Sequence, residues 1–145
     1  MAQDVPTFDW LLKRLKDDRP GPEVEDTLAI KSANFIWGNV HRSLDVPTIV
    51  RKVPATRRTM ERRFRSQFGR SIRQVVAFAR LELAKWLLAE SDLPVHRVAQ
   101  RAGYSSSDWM GKAVRRATGM TPSEYRRRTA RNEISVNNPR QSVAQ

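Results

Sequence analysis

One stretch of this chain occurs twice, and the repetition constrains the fold more than any other feature. Met60-x-Arg62-x-Phe64-Arg65-x-x-x-Gly69-x-Ser71-x-x-Gln74 lies above Met110-x-Lys112-x-Val114-Arg115-x-x-x-Gly119-x-Thr121-x-x-Glu124 at an offset of 50 residues. Each copy carries apolar residues at helical spacing and then a glycine, the usual end of a helix. A hydroxyl residue follows, with Gln or Glu three positions on, which is the capping box of a next helix. A short helical segment and a tight turn precede each copy. The repeat therefore predicts two helix-turn-helix units. No alternating strand pattern occurs, so the expected fold is all-α.

The rest of the chain fits around the two copies. Phe8, Leu11, Leu12 and Leu15 can line one face of a short helix, and Pro20-Gly21-Pro22 reads as a linker. Residues 1–27 are thus an acidic lead-in without an assigned role. Residues 28–70 form the first helix-turn-helix subdomain. Its opening helix carries Ile30, Ala33, Trp37, Val40 and Leu44, and a short helix then bears Ile49, Val50 and Val53. Thr56 caps a helix from Arg57 to Phe68. Residues 71–91 form a linking helix, and 92–131 the second subdomain, where Asp92-Leu93-Pro94 echoes Asp45-Val46-Pro47. Ser106 caps its second charged helix, and a last helix runs through Tyr125. The polar tail, 132–145, is expected to be disordered.

Charge follows the same division. The chain has 27 Lys+Arg against 15 Asp+Glu, a net of +12, and residues 51–131 alone hold 20 basic and 6 acidic groups. A segment this basic calls for a polyanion: nucleic acid first, a membrane surface or an acidic protein after it. With no cysteine and only His41 and His96, neither a disulfide nor a metal centre is expected. The N-terminus lacks the pattern of a secretory signal, and no run approaches the ~20 apolar residues of a membrane span. The expected location is the cytoplasm, on the nucleoid.

On a helical wheel Met60, Phe64 and Phe68 share one stripe, while Arg58, Arg62 and Arg65 cluster opposite, with Glu61 at their edge. Like charges at these spacings repel, so an anionic partner accounts for the cluster better than a solvated face does. Arginine suits DNA because its planar fork reaches guanine O6 and N7 together. In the second copy Met110, Ala113, Val114 and Ala117 form the apolar stripe. Asp108, Lys112 and Arg115 lie opposite, with Gly111 beside them. Trp109 lies at the border, where core packing is expected. The linking helix, at ~1.5 Å per residue, spans roughly 28 Å. Adjacent major-groove faces lie ~34 Å apart, so one chain can set two reading helices on one side of a duplex.

Gly103-Tyr104-x-Ser106, Trp109, Lys112, Arg115 and Gly119-x-Thr121-Pro122-x-x-Tyr125-Arg126 resemble the C-terminal signature of AraC/XylS-family transcription regulators. Asp26–Ile30 and Arg57-Arg58-x-Met60-Glu61-Arg62-Arg63-Phe64 look most like the xylose-responsive members. Val114 stands where the family usually has Phe. The resemblance covers about residues 26–129. It implies seven helices, double-stranded DNA as partner, and activation of transcription through contact with RNA polymerase. It assigns base reading to Arg58, Glu61 and Arg62 in the first unit, flanked by Thr56, Arg57 and Arg65. In the second it assigns Ser107, Asp108, Gly111 and Lys112, flanked by Ser106 and Arg115. Sugar-responsive relatives also carry a large sensor domain, which these residues do not contain.

Two other functions compete. A non-specific basic DNA- or RNA-binding protein would need an exposed stacking platform, whereas the aromatic residues here fall on the apolar stripes. An enzyme would need a catalytic constellation. The chain has no HExxH, no GxSxG, no phosphate-binding glycine loop and no thiol. No cofactor is expected.

Overall fold

The computed structural model describes residues 5–42 and 44–136, the side chains of 131–136 excepted. These residues form eight helices and no strand. In order they are α1 (Phe8–Asp18), α2 (Thr27–Gly38), α3 (Val46–Arg51), α4 (Arg57–Phe68), α5 (Ile72–Glu90), α6 (Val95–Arg101), α7 (Ser107–Thr118) and α8 (Pro122–Val136). The all-α expectation holds, with α1 as an eighth helix beside the seven that the resemblance implied. Among the described residues no helix is long and apolar enough to cross a membrane. The chain divides into two compact units, Met1–Glu82 and Leu83–Gln145.

The punctuation of both copies does what the sequence requires of it. Thr56 Oγ1 accepts from the N–H of Thr59 (3.2 Å) and opens α4; Ser106 Oγ accepts from the N–H of Trp109 (3.2 Å) and opens α7. Gly69 and Gly119 close these helices at φ of 64° and 74°, left-handed geometry that a Cβ disfavours. At α5 the capping box is reciprocal. Ser71 N–H donates to Gln74 Oε1 (2.8 Å), and Gln74 N–H donates to Ser71 Oγ (3.1 Å).

Three boundaries differ from expectation. The opening helix stops at Gly38, well before Leu44, because Asn39 takes the C-cap and its side-chain amide donates to Phe35 O (2.9 Å). The echo of Asp45 in Asp92 is not structural. Asp45 caps α3 through the N–H of Thr48 (2.8 Å), whereas α6 begins after Pro94 with no side-chain cap. Ser91 shapes that turn instead, donating to Leu87 O (2.7 Å) and accepting from Leu93 N–H (3.3 Å). Finally, α8 continues to Val136, since no glycine or proline interrupts it after Pro122. The remainder of the expected disordered tail, 137–145, lies outside the described residues.

The acidic lead-in folds into the first unit. Leu11 and Leu15 of α1 are fully buried with Ala29, Ala33 and Ile36 of α2 and Met60, Phe64 and Phe68 of α4. Trp10 packs on Trp37 with ring centres 5.8 Å apart, and the Trp37 indole N–H donates to Pro6 O (2.9 Å). Behind α4 the buried Arg70 donates to Phe68 O (3.1 Å) and Leu15 O (3.5 Å), pairs with Asp18, and stacks 4.5 Å from the centre of the Phe78 ring. Burial pushes the Arg70 pKa down, and Asp18 opposes that shift. Pro20-Gly21-Pro22 is a docked segment rather than a loose linker. A Cβ at Gly21 would stand 2.5 Å from Gln67 O, and the buried Gln67 accepts from Asp26 N–H (2.7 Å).

The second unit is built on Leu87, Leu88, Val98, Ala99, Ala102, Met110 and Val114, all nearly or fully buried. Arg126 ties α8 down by donating from Nε to Leu88 O (3.0 Å). Of the tryptophans expected in the core, Trp37 is buried and Trp86 half-buried.

Leu15→Ala should lower stability by about 2–5 kcal/mol, measured by urea denaturation. An unchanged midpoint would mean that α1 is an appendage of the first unit and no part of its core.

Candidate nucleic-acid interface

Packing decides which way α4 faces. Its inner stripe, Met60, Phe64 and Phe68, is 0–2% exposed, and the Phe64 and Phe68 rings meet edge to face at 5.3 Å. The opposite face is therefore turned outward, and Arg58, Arg62 and Arg65 lie exposed on it, while Arg57, also exposed, stands in the first turn on the side of the apolar stripe. Among the described residues none of these four side chains has an ion pair or hydrogen bond. Arg63, one step round the wheel, is different: it points back toward α2, 3.6 Å from Asp26 Oδ1. Arg57 also sits at the first position of α4, where the positive end of the helix dipole disfavours a cation. An outward group of uncompensated guanidinium charges results.

Two of the expected first-unit residues have structural duties. Thr56 is the N-cap of α4. Glu61 is half-buried, and its Oε2 accepts from the N–H of Ile72 (3.2 Å), satisfying the first donor of α5.

A cleft beside Arg57 was not expected from the sequence. It has a volume of about 390 Å³ and lies between the start of α3 and one face of α5. Arg73, Ala77 and Arg80, at i, i+4 and i+7, line the α5 side. Arg80 donates to Leu44 O (3.4 Å), while Arg73, like Arg57, is exposed and unpaired among the described residues. The one carboxylate there, Asp45, is engaged in capping α3. Hydrogen bonding from Thr48 holds its pKa below the usual range, with Arg51 adding to the effect. The signal for this cleft was the heptad spacing of two arginines in a helix read only as a strut.

In the second unit Met110 and Val114 turn α7 inward and are fully buried. Ser107, Asp108, Lys112 and Arg115 are exposed as expected, and Ser106 is the cap. Ala117, assigned to the apolar stripe, is exposed; Thr118 finishes that side by donating to Val114 O (2.7 Å). A Cβ at Gly111 would meet nothing within 4 Å. Trp109 reverses expectation. It is 60% exposed rather than packed in the core, with Lys112 Nζ 4.9 Å from its ring centre. The stripe that buries Met110 ends one residue short of it. His41 and His96 are exposed, as are Arg127 and Arg128. Among the described residues no His, Asp or Glu cluster is able to hold a metal ion.

If Glu61 serves α5, Glu61→Ala should lower stability by about 1 kcal/mol. Arg62→Ala, beside it on the unpaired face, should stay within about 0.5 kcal/mol of the parent. Urea midpoints of the two variants separate a capping carboxylate from a merely exposed guanidinium.

Residues 49–128 match a family described as a helix-turn-helix domain. The transcriptional activator RhaR of Enterobacter sp. (strain 638) is 28% identical over 120 residues, covering 81% of this chain and 43% of the relative. The xylose operon regulatory protein of Escherichia coli K12 is 26% identical over 122 residues, covering 84% of this chain and 30% of the relative. The chain thus spans less than half of either protein. Among solved structures, the DNA-binding domain of the global transcriptional factor AdpA, in complex with a target DNA, superposes with a TM-score of 0.67. It is 29% identical, over 79% of this chain and 98% of that one. The xylose-binding activator XylR gives 0.66 at 26% identity, over 72% of this chain and 28% of that one. The chain belongs to the AraC-type helix-turn-helix family of DNA-binding transcription regulators.

Proposed function

We propose that this chain is the DNA-reading part of a transcription activator, with α4 and α7 entering adjacent major grooves of one duplex. The observation that carries the reading is the outward face of α4, where Arg58, Arg62 and Arg65 stand exposed with no side-chain partner among the described residues. A buried apolar stripe fixes that face, so the guanidinium groups are presented in a set direction. The AdpA domain, similar along most of its length, is seen with target DNA. The name of RhaR as an activator supports activation here; RNA polymerase as a further partner and the cytoplasmic nucleoid as the location belong to the same proposal.

The roles divide by chemistry. Arg58 and Arg62 reach guanine edges, while Arg65 neutralises phosphate. Arg57 and Arg73 hold a second phosphate at the mouth of the cleft, whose wall Arg80 fixes. In the second unit Ser107, Asp108 and Lys112 face bases, Gly111 admits close approach, and Arg115 contacts phosphate. Thr56, Ser106 and Glu61 act by positioning the helices that carry these groups. The proposed division of the chain keeps a first subdomain at 28–70, a linking helix at 71–91 and a second subdomain at 92–131.

Selection from random duplex DNA at physiological salt, followed by footprinting, tests the whole reading. Two short motifs about one helical turn apart are the expected result. Salt-sensitive binding with no enriched sequence would reduce the protein to a non-specific nucleic-acid binder. On a selected site, Arg62→Ala should cost about 1–3 kcal/mol and relax preference at one position. Arg65→Ala and Arg73→Ala should weaken every sequence alike and lower the salt slope by about one unit each. Identical behaviour of all three variants would abolish the division between reading and clamping.

A further inference from the structure

We infer that Trp109 is a specificity contact of the second unit, its indole packing against a thymine methyl group in the major groove that α7 enters. The inference rests on the duplex-binding function proposed above and adds a ligand group and a residue to it. Trp109 is 60% exposed; the other large exposed apolar residues among those described are Val5 and Val24, both outside the helices. A half-solvated indole forfeits much of the burial that makes tryptophan favourable in a folded chain. Its position in the first turn of α7, between Asp108 and Met110, puts it at the edge of the face that carries Asp108, Lys112 and Arg115.

That face is poor in base-reading groups. The position corresponding to Glu61 is Gly111, which has no side chain and open space around it. The position corresponding to Arg58 is Asp108, which cannot donate to guanine. The position corresponding to Trp109 in the first unit is Thr59, a half-buried residue that joins the α4 cap through Thr56. The two copies have thus exchanged their resources. The first has polar reach and no apolar contact, and the second has an apolar contact and little polar reach.

In the major groove the apolar feature of a base edge is the C5-methyl of thymine. An indole at the Lys112 edge of the α7 face can cover that methyl. Lys112, 4.9 Å from the ring centre, holds the indole by a cation–π contact and places a positive charge beside it. Double-stranded DNA is favoured over a single strand because the platform is one ring on a helix, not a series of rings along a groove.

Deoxyuridine scanning of the selected duplex tests this, since it removes thymine methyls one at a time and alters nothing else. Wild-type affinity should fall about fourfold at one thymine of the α7 half-site, the loss expected for one buried methyl. Trp109→Ala should bind the parent duplex more weakly and show no further loss at that thymine. Trp109→Phe, which keeps an aromatic ring, should retain part of the sensitivity. Equal deoxyuridine sensitivity in wild type and Trp109→Ala would overturn the inference, as would tighter Trp109-dependent binding to the single strand than to the duplex. Either result leaves duplex binding through Arg62 intact. Absence of any selected site would instead sink the proposed function and this contact with it.

Discussion

The first unit depends on one constraint: α4 must bury Phe64 and Phe68 while carrying arginines on nearly every other position. Burial of the two rings offers a strong apolar gain, and it is directional. Once that side is fixed inward, Arg58, Arg62 and Arg65 have no choice but to face solvent. Their mutual repulsion costs a few tenths of a kcal/mol per pair in an isolated helix, which the packed stripe exceeds several-fold. Function therefore takes its geometry from the core, and the charges are tolerated because the core overrides them.

The lead-in helix strengthens that arrangement from behind. Arg70 lies just after the end of α4, on the far side from the exposed arginines, and its buried guanidinium satisfies carbonyls from both α1 and α4. Asp18 supplies the countercharge. A guanidinium in such a place is held by hydrogen bonds, a carboxylate and an aromatic face together. Arg58, Arg62 and Arg65 on α4 have none of these. One residue type thus serves as internal fastener and as external probe, and the difference lies entirely in its surroundings.

Local rules made much of this legible in advance. Thr56, Gly69, Ser71, Ser106 and Gly119 announced the helix ends, because capping is chemistry between near neighbours. Met60, Phe64, Phe68, Met110 and Val114 announced the inner faces, because helical periodicity suffices to find them. What escaped depends on distant partners. Gly21 meets Gln67, Asp18 meets Arg70 and Glu61 meets Ile72 only after the chain has folded, and no spacing rule encodes those encounters. Trp109 escaped for another reason. It lies at the wheel's border, where the outcome depends on how far the neighbouring core extends.

The docked segment at Gly21 has a consequence for how such chains vary. The backbone oxygen of Gln67 lies where any Cβ at position 21 would have to be. Drift at that site is closed unless the lead-in is released from its berth.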